Sequence, residues 1–353
     1  MGKGRVSAGH YHTLAIVDGA LWGFGSNSFG QLGFGDMPSK GIFFDRHNIW
    51  SSPVRIGDKS DWSEVSAGSN FSLAIRNGEL FSWGENADGQ LGLGDFKRRV
   101  VPTRVGNRSD WTHISAGVAR SLGVAGGELF AWGEGSHGTL GVGTLSSSFS
   151  PVRIGKSSGW TAVSAGRNHS LGILAGKLFA WGGNGQGQLG LQGSPSEWVP
   201  VQVGEGTNWQ CISAGWDYSA GIESGELYTW GDNWHGQLGF KDREPRLEPC
   251  RVGSRHDWTL ASAGTGVTLA IANSSAFSCG KHWEWHSEEV LRENKTPLIR
   301  IDNDYNWEFA SSNLFHCVAI KDGGIFTWGW SSEGQLGLGD VFSRRSPARV
   351  AFP

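Results

Sequence analysis

Two stretches of the 353-residue chain have the G-x-G-x-x-G spacing that lets a backbone wrap a pyrophosphate, Gly133 to Gly138 and Gly185 to Gly190. That chemistry requires the glycines to open a helix whose N-terminus faces the phosphate. Neither stretch leads into a helical period, and both fall inside a turn that recurs along the chain. A third stretch, "KHWEWHSEEVL" from Lys281 to Leu291, offers His282, Glu284 and His286. An extended backbone puts these three on one side, and imidazole and carboxylate are zinc donors. They form a weak metal candidate, set against the plainer alternative of an altered turn. Cys211, Cys250, Cys279 and Cys317 lie far apart without C-x-x-C pairing, so neither a disulfide framework nor a cysteine zinc site is expected. No H-E-x-x-H, P-loop or G-x-S-x-G arrangement occurs, and the carboxylates fall at repeat-equivalent positions. The expectation is a protein that is not an enzyme and needs no cofactor.

The elements that carry these residues follow from a repeat. Aligning on "SAG" places Ser7, Ser66, Ser115, Ser164, Ser213, Ser262 and Ser311 in register, with one spacing of 59 and then five of 49. The aromatic before glycine in "WG" keeps the same phase at Phe24, Trp83, Trp132, Trp181, Trp230, Cys279 and Trp328. "GQLG" or "GTLG" follows in every copy except the sixth, which is degenerate near 279–297. Each unit reads as four short strands, with Asp18-Gly19, Asn77-Gly78 and Asp322-Gly323 as two-residue hairpin turns. Glycine supplies 56 residues, about 16% against a usual 7%. No segment has helical period, so almost no helix is expected.

Four-stranded units in seven copies predict an all-β fold, a seven-bladed β-propeller of antiparallel blades, as one domain over residues 1–353. Small Ser-Ala-Gly strands suit the crowded axis, and the tryptophans of the "WG" series and of Trp62, Trp111, Trp160, Trp209, Trp258 and Trp307 suit the core. A further step of 49 beyond Ser311 overruns the chain end by seven, the position of Ser7. This predicts ring closure by pairing of the N- and C-terminal strands in one blade, which would leave no open sheet edge.

"SAGRNHSLGI", "FAWGGNGQGQLGLQG" and "SAGSNFSLAIRNGELFSWGENADGQLGLGD" closely resemble the regulator of chromosome condensation repeat, whose hallmark is a seven-bladed propeller. The even step and the "SDW" before "xxISAG" look most like bacterial and viral members. The resemblance implies functions as different as guanine-nucleotide exchange, ultraviolet sensing, enzyme inhibition and service as a ubiquitin-ligase domain. Sensing would need tryptophans directly after the motif's glycine, where only Trp216 matches among His10, Ser69, Val118, Arg167, Thr265 and Leu314. Exchange would need a wedge, and the first repeat has an insertion near 37–50, "MPSKGIFFDRHNIWSS".

The positions after "SAG" vary most and share one face. A protein partner is therefore expected on His10, Tyr11, Asn70, Arg120, Arg167, Trp216, Asp217, Tyr218 and Phe315, together with Phe43, Phe44, Arg46 and Trp50 of the insertion. The third residue of each trio could instead be a packing position, which is the reading preferred for His12, His169 and His316. The insertion could fold back on its own blade. A net charge of −3 without a basic stripe argues against nucleic acid, and the absence of an apolar signal or spanning stretch argues against secretion by a classical signal or a membrane site. The expected function is a non-enzymatic interaction scaffold, with a small-GTPase exchange factor and a bacteriophage virion component as alternatives. The expected location is the cytoplasm or a virion.

Overall fold

The computed structural model describes residues 6–35, 48–281 and 297–353. The first blade is β1 (Val6–Ala8), β2 (His12–Val17), β3 (Ala20–Ser26) and β4 (Ile49–Arg55), hydrogen-bonded in that order. Six further four-stranded antiparallel sheets follow over 62–104, 111–158, 160–202, 209–251, 258–300 and 307–349. The fold is thus the expected seven-bladed propeller. A short 3-10 turn lies at Ser136–Gly138.

Local chemistry sets the blades. Both central residues of the hairpin turns have positive φ, at Asp18 (50°) and Gly19 (75°) and equally at Ala175 and Gly176. This is the twist a two-residue hairpin requires, so Ala175 adopts it although its Cβ opposes it. The cores lie between blades rather than within them. Leu14, Ile16, Leu21 and Ile56 of blade 1 pack on Trp62, Val65, Phe81 and Trp83 of blade 2. Buried aromatic rings of this kind remove roughly 200 Å² each from water, about 5 kcal/mol before side-chain entropy is subtracted.

One expectation is corrected. Among the described residues no blade mixes strands from the two ends, because β1 pairs with β2 and β28 (Arg344–Arg349) pairs within the seventh sheet. The ring closes instead by the contact used at every other seam. Val6, Ala8, Ala15 and Phe24 pack on Val318, Ile320, Ile325 and Val350, and Trp22 meets Phe352 edge-on. The sixth blade keeps Ser275–Gly280 and a two-residue outer strand, Ile299–Arg300, so its place in the ring survives its drift in sequence.

Candidate functional site: the loop face around the axis

The small motif at the axis does more than save space. The Ser66 hydroxyl accepts from the Ala116 N–H at 2.9 Å, and the relation repeats from Ser115 to Ala165, Ser164 to Ala214, Ser213 to Ala263, Ser262 to Ser312, Ser311 to Ala8 and Ser7 to Ala67. Seven serines thus stitch seven blades into a closed belt around a polar channel of about 150 Å³. The glycine that follows is needed for close approach: a Cβ on Gly166 would lie 2.4 Å from the Gly215 carbonyl oxygen.

The third position of each trio makes a second belt. His12 Nε2 lies 3.0 Å from Ser72 Oγ, His169 Nε2 2.8 Å from Ser219 Oγ, and His316 Nε2 2.6 Å from Thr13 Oγ1. Each of those hydroxyls already donates its one proton to a loop carbonyl of the preceding blade, that of Gln31, Gln188 or Gln335. The imidazoles must therefore donate from Nε2–H, which fixes their tautomer. Those glutamine carbonyls also serve the core, since Trp83 Nε1–H donates to Gln31 O at 2.8 Å and Trp230 Nε1–H to Gln188 O at 2.9 Å. At the sixth blade Cys279 keeps a weaker version, Sγ to Gln237 O at 3.3 Å.

Two expected surface residues belong to this belt. Arg120 is 1% exposed and donates to the carbonyls of Gly166, Arg167 and His169, with Nε 3.4 Å from Ser170 Oγ. Tyr218 is fully buried and its phenol donates to Val267 O at 2.6 Å. Neither can meet a partner. A long side chain at a strand start can bury when its polar end reaches carbonyls, and residue type alone does not reveal that reach. Burial pulls Arg120 down to about 10, still protonated near neutrality, and pulls His12, His169 and His316 down to about 3.

The first two positions of the trios do gather around the channel mouth. His10 of blade 1 stacks on Trp216 of blade 5, with centroids 5.7 Å apart and planes 30° apart, so the pair bridges the axis. Arg167 lies 4.7 Å over the same indole and 3.4 Å from Asp217. His10 Nδ1 is 2.9 Å from Ser69 Oγ, and Tyr11 packs on Phe315 at 5.5 Å. Burial holds His10 near 4, so the stack joins two neutral rings. Asn70 donates to Glu85 at 3.0 Å. Trp50 sits apart, in β4, half-buried against Phe34 of its own blade. Phe43, Phe44, Arg46 and the candidate donors His282, Glu284 and His286 lie outside the described residues. Among the described residues no group of three metal-ligating side chains occurs, and all four cysteines are free.

The same face carries two residues that sequence reading missed. Trp234 is 72% exposed and Trp330 47% exposed, in the loops after "WG". The signal was available: Trp234 fills the slot that holds Ser28, Ala87, Ser136, Gly185 and Ser332 in the other intact repeats, with Trp283 there in the drifted sixth. A tryptophan among small polar residues is not repeat grammar.

The profile of the regulator of chromosome condensation (RCC1) repeat matches residues 18–75, 77–124, 126–173, 175–222, 224–271 and 322–353. The chain belongs to the RCC1 repeat family. The RCC1 match breaks over the drifted sixth repeat and resumes in the seventh. The X-linked retinitis pigmentosa GTPase regulator of Mus musculus is 37% identical over 98 residues, 27% of this chain and 9% of that protein. The probable E3 ubiquitin-protein ligase HERC3 of Homo sapiens is 39% identical over 103 residues, 28% of this chain and 9% of that protein. The match thus spans about a tenth of the length of these curated relatives. Among solved structures, human WBSCR16 superposes with a TM-score of 0.80 at 22% identity, covering 95% of this chain and 94% of that one. Prp20p of Saccharomyces cerevisiae gives 0.80 at 19%, covering 97% and 88%. Both show the fold alone.

Proposed function

We propose that this RCC1-repeat propeller is a non-enzymatic interaction module that binds a protein partner through the loop face around its axis. The observation that carries the reading is the concentration there of side chains that the ring does not use. Trp234 and Trp330 are exposed, and His10, Tyr11, Arg167, Trp216 and Phe315 cluster beside them, whereas the serine belt and the buried third positions do the structural work. Exposed tryptophan and arginine are the types that dominate interface energies. The opposite face, with the hairpin turns, is closed by ion pairs such as Arg108 with Asp110 and Arg255 with Asp257. A photo-crosslinking residue at position 234 should capture a partner in the source cells, while the same residue at 205 on the opposite face should not. Capture from 205 alone would refute the assignment.

A second reading, regulation of a small GTPase, is favoured by the likeness to the mouse GTPase regulator and to Prp20p, which binds Gsp1p. Nucleotide release from a panel of small GTPases tests it. Acceleration that is lost in the Trp216→Ala variant supports it, and no acceleration across the panel removes it.

A further inference from the structure

Among the described residues, the trios and the four positions after each "WG" carry six carboxylates, Glu85, Asp88, Glu134, Asp217, Asp232 and Glu333, against the cations Arg167 and Lys281 and the buried Arg120, while Lys97, Arg98, Lys241 and Arg243 stand farther along the same loops with Asp95, Asp242, Glu244 and Asp340. Of the six, Asp217 alone makes a salt bridge among the described residues. The others are held by neutral groups or by none: Asn70 on Glu85, Gln237 on Asp232, Ser332 on Glu333. Crowding shows in their titration. Asp88 is raised by burial and by Glu134, and Asp217 by burial and by Asp232, against the pull of Arg167.

The face also displays how it holds a cation. Arg167 is seated by two adjacent residues of blade 5, the indole of Trp216 at 4.7 Å and the carboxylate of Asp217 at 3.4 Å. Cation–π attraction and a charge-assisted bond act together there. Two further pairs place an exposed tryptophan and a carboxylate in one loop without an arginine between them. In blade 5, Trp234 stands beside Asp232, whose carboxylate is oriented by the Trp234 N–H at 3.2 Å and Gln237 Nε2 at 2.7 Å. In blade 7, Trp330 stands beside Glu333, linked through Ser332, with Trp330 Nε1 to Ser332 Oγ at 2.6 Å and Ser332 Oγ to Glu333 Oε1 at 3.4 Å. Both indoles are exposed.

We infer that Trp234 with Asp232, and Trp330 with Glu333, are two receptors for arginine or lysine side chains of the protein partner, so that the partner presents a basic segment to this face. Charge complementarity selects the occupant: an acidic segment would meet six carboxylates, and a purely apolar one would bury Asp232 and Glu333 unpaired at a cost. Long cationic side chains lay an apolar stem on an indole while the head reaches the carboxylate.

The inference rests on the partner-binding reading of the face, and its test separates the two. A fluorescein-labelled ten-residue peptide of alternating arginine with glycine and serine is titrated against the full chain by anisotropy, beside its glutamate counterpart. The arginine peptide is expected to bind saturably and the glutamate peptide not at all. Trp234→Ala, Asp232→Asn and Trp330→Ala should each weaken binding about fivefold, and Trp234→Ala with Trp330→Ala at least tenfold. Glu205→Gln on the opposite face should leave it unchanged. Equal weakening by Glu205→Gln would reduce the effect to diffuse attraction and overturn the inference, as would binding that ignores both tryptophans, or no binding. If the peptide fails while cross-links from position 234 persist, the basic chemistry is wrong and the face is right; if those cross-links fail as well, the face reading falls.

Discussion

Acidification should loosen the ring well before the arginine-paired carboxylates titrate. His12, His169 and His316 are buried with Nε2–H committed to a neighbouring hydroxyl, and their Nδ1 atoms have no hydrogen-bond partner among the described residues. A second proton would have to sit on that Nδ1, buried and without an acceptor, which adds to the burial that holds all three near 3. Unfolded imidazole titrates near 6.5. Between 6.5 and 3 the unfolded chain therefore binds more protons, so stability is full above about 6.5 and falls as pH falls. Each histidine contributes about 1.4 kcal/mol per pH unit in that window, or about 2 kcal/mol at pH 5, and the three together about 6 kcal/mol. With unfolding entropy near 2.1 cal/mol/K per residue, a chain of this length loses about 8 °C in Tm. His10, held near 4, adds in the same direction. The aspartates lowered by arginine partners, Asp95, Asp242 and Asp340 among them, act only below about pH 4. Calorimetry at pH 7 and pH 5 measures the shift. The chain supplies its own control, because Phe71 fills the same slot in blade 2. A triple variant, His12→Phe with His169→Phe and His316→Phe, should lose most of the slope. A wild-type shift under about 2 °C, or a triple variant with the full slope, would refute the buried-tautomer argument.

Other substitutions separate the ring from its face. Arg120→Ala leaves the Gly166 and Arg167 carbonyls without the guanidinium donor, while His169 O keeps the Gly166 N–H, and should cost about 3–5 kcal/mol in urea unfolding, whereas Arg120→His, the residue of blades 1, 4 and 7, should cost less than half of that. Neither should weaken peptide or partner binding if the folded protein is compared. Trp181→Phe removes the Nε1–H bond to Thr139 O and part of a fully buried ring, for about 2–3 kcal/mol; the same denaturation checks it, and a change under about 0.5 kcal/mol would deny the latch a role. Val118→Arg, on the loop face, should shift stability by no more than about 0.5 kcal/mol.

What was legible in the sequence was the repeat phase, and with it the blade count, the strand order and the tryptophan core. Phase could not decide closure, because a matching end-to-end spacing is produced equally by a shared blade and by two neighbouring blades; only the pairing of β1 with β2 separates them. The candidate face was legible as a place, since variation after "SAG" marks it. Which of its residues are free was not. Arg120 and Tyr218 are of the type that binds partners, yet the slot they fill turns inward at every seam, and three histidines and Phe71 had shown its direction. Trp234 and Trp330 were harder to read because they stand in the glycine-rich turn, where the repeat is strongest, rather than in the loop after "SAG", where variation is greatest.

The division of labour explains why one face can vary without unmaking the ring. At the first two trio positions the ring uses backbone atoms. The Arg167 N–H donates to Gly215 O and the Trp216 N–H to Gly264 O, while the carbonyls of Tyr11, Asn70, Asp217 and Phe315 accept from Ser26, Glu85, Asp232 and Trp330. Backbone groups are the same whatever the side chain. The serine belt and, at His12, Arg120, His169, Tyr218 and His316, the third position lock the blades through side-chain hydrogen bonds. Side chains at the first two positions are therefore not required by the ring, which can carry valine and alanine at Val118 and Ala119 as readily as the tryptophan and aspartate of blade 5. That freedom is what the proposed recognition role needs, and the stability measured for Val118→Arg against Arg120→Ala tests the division between backbone and side-chain stitching directly.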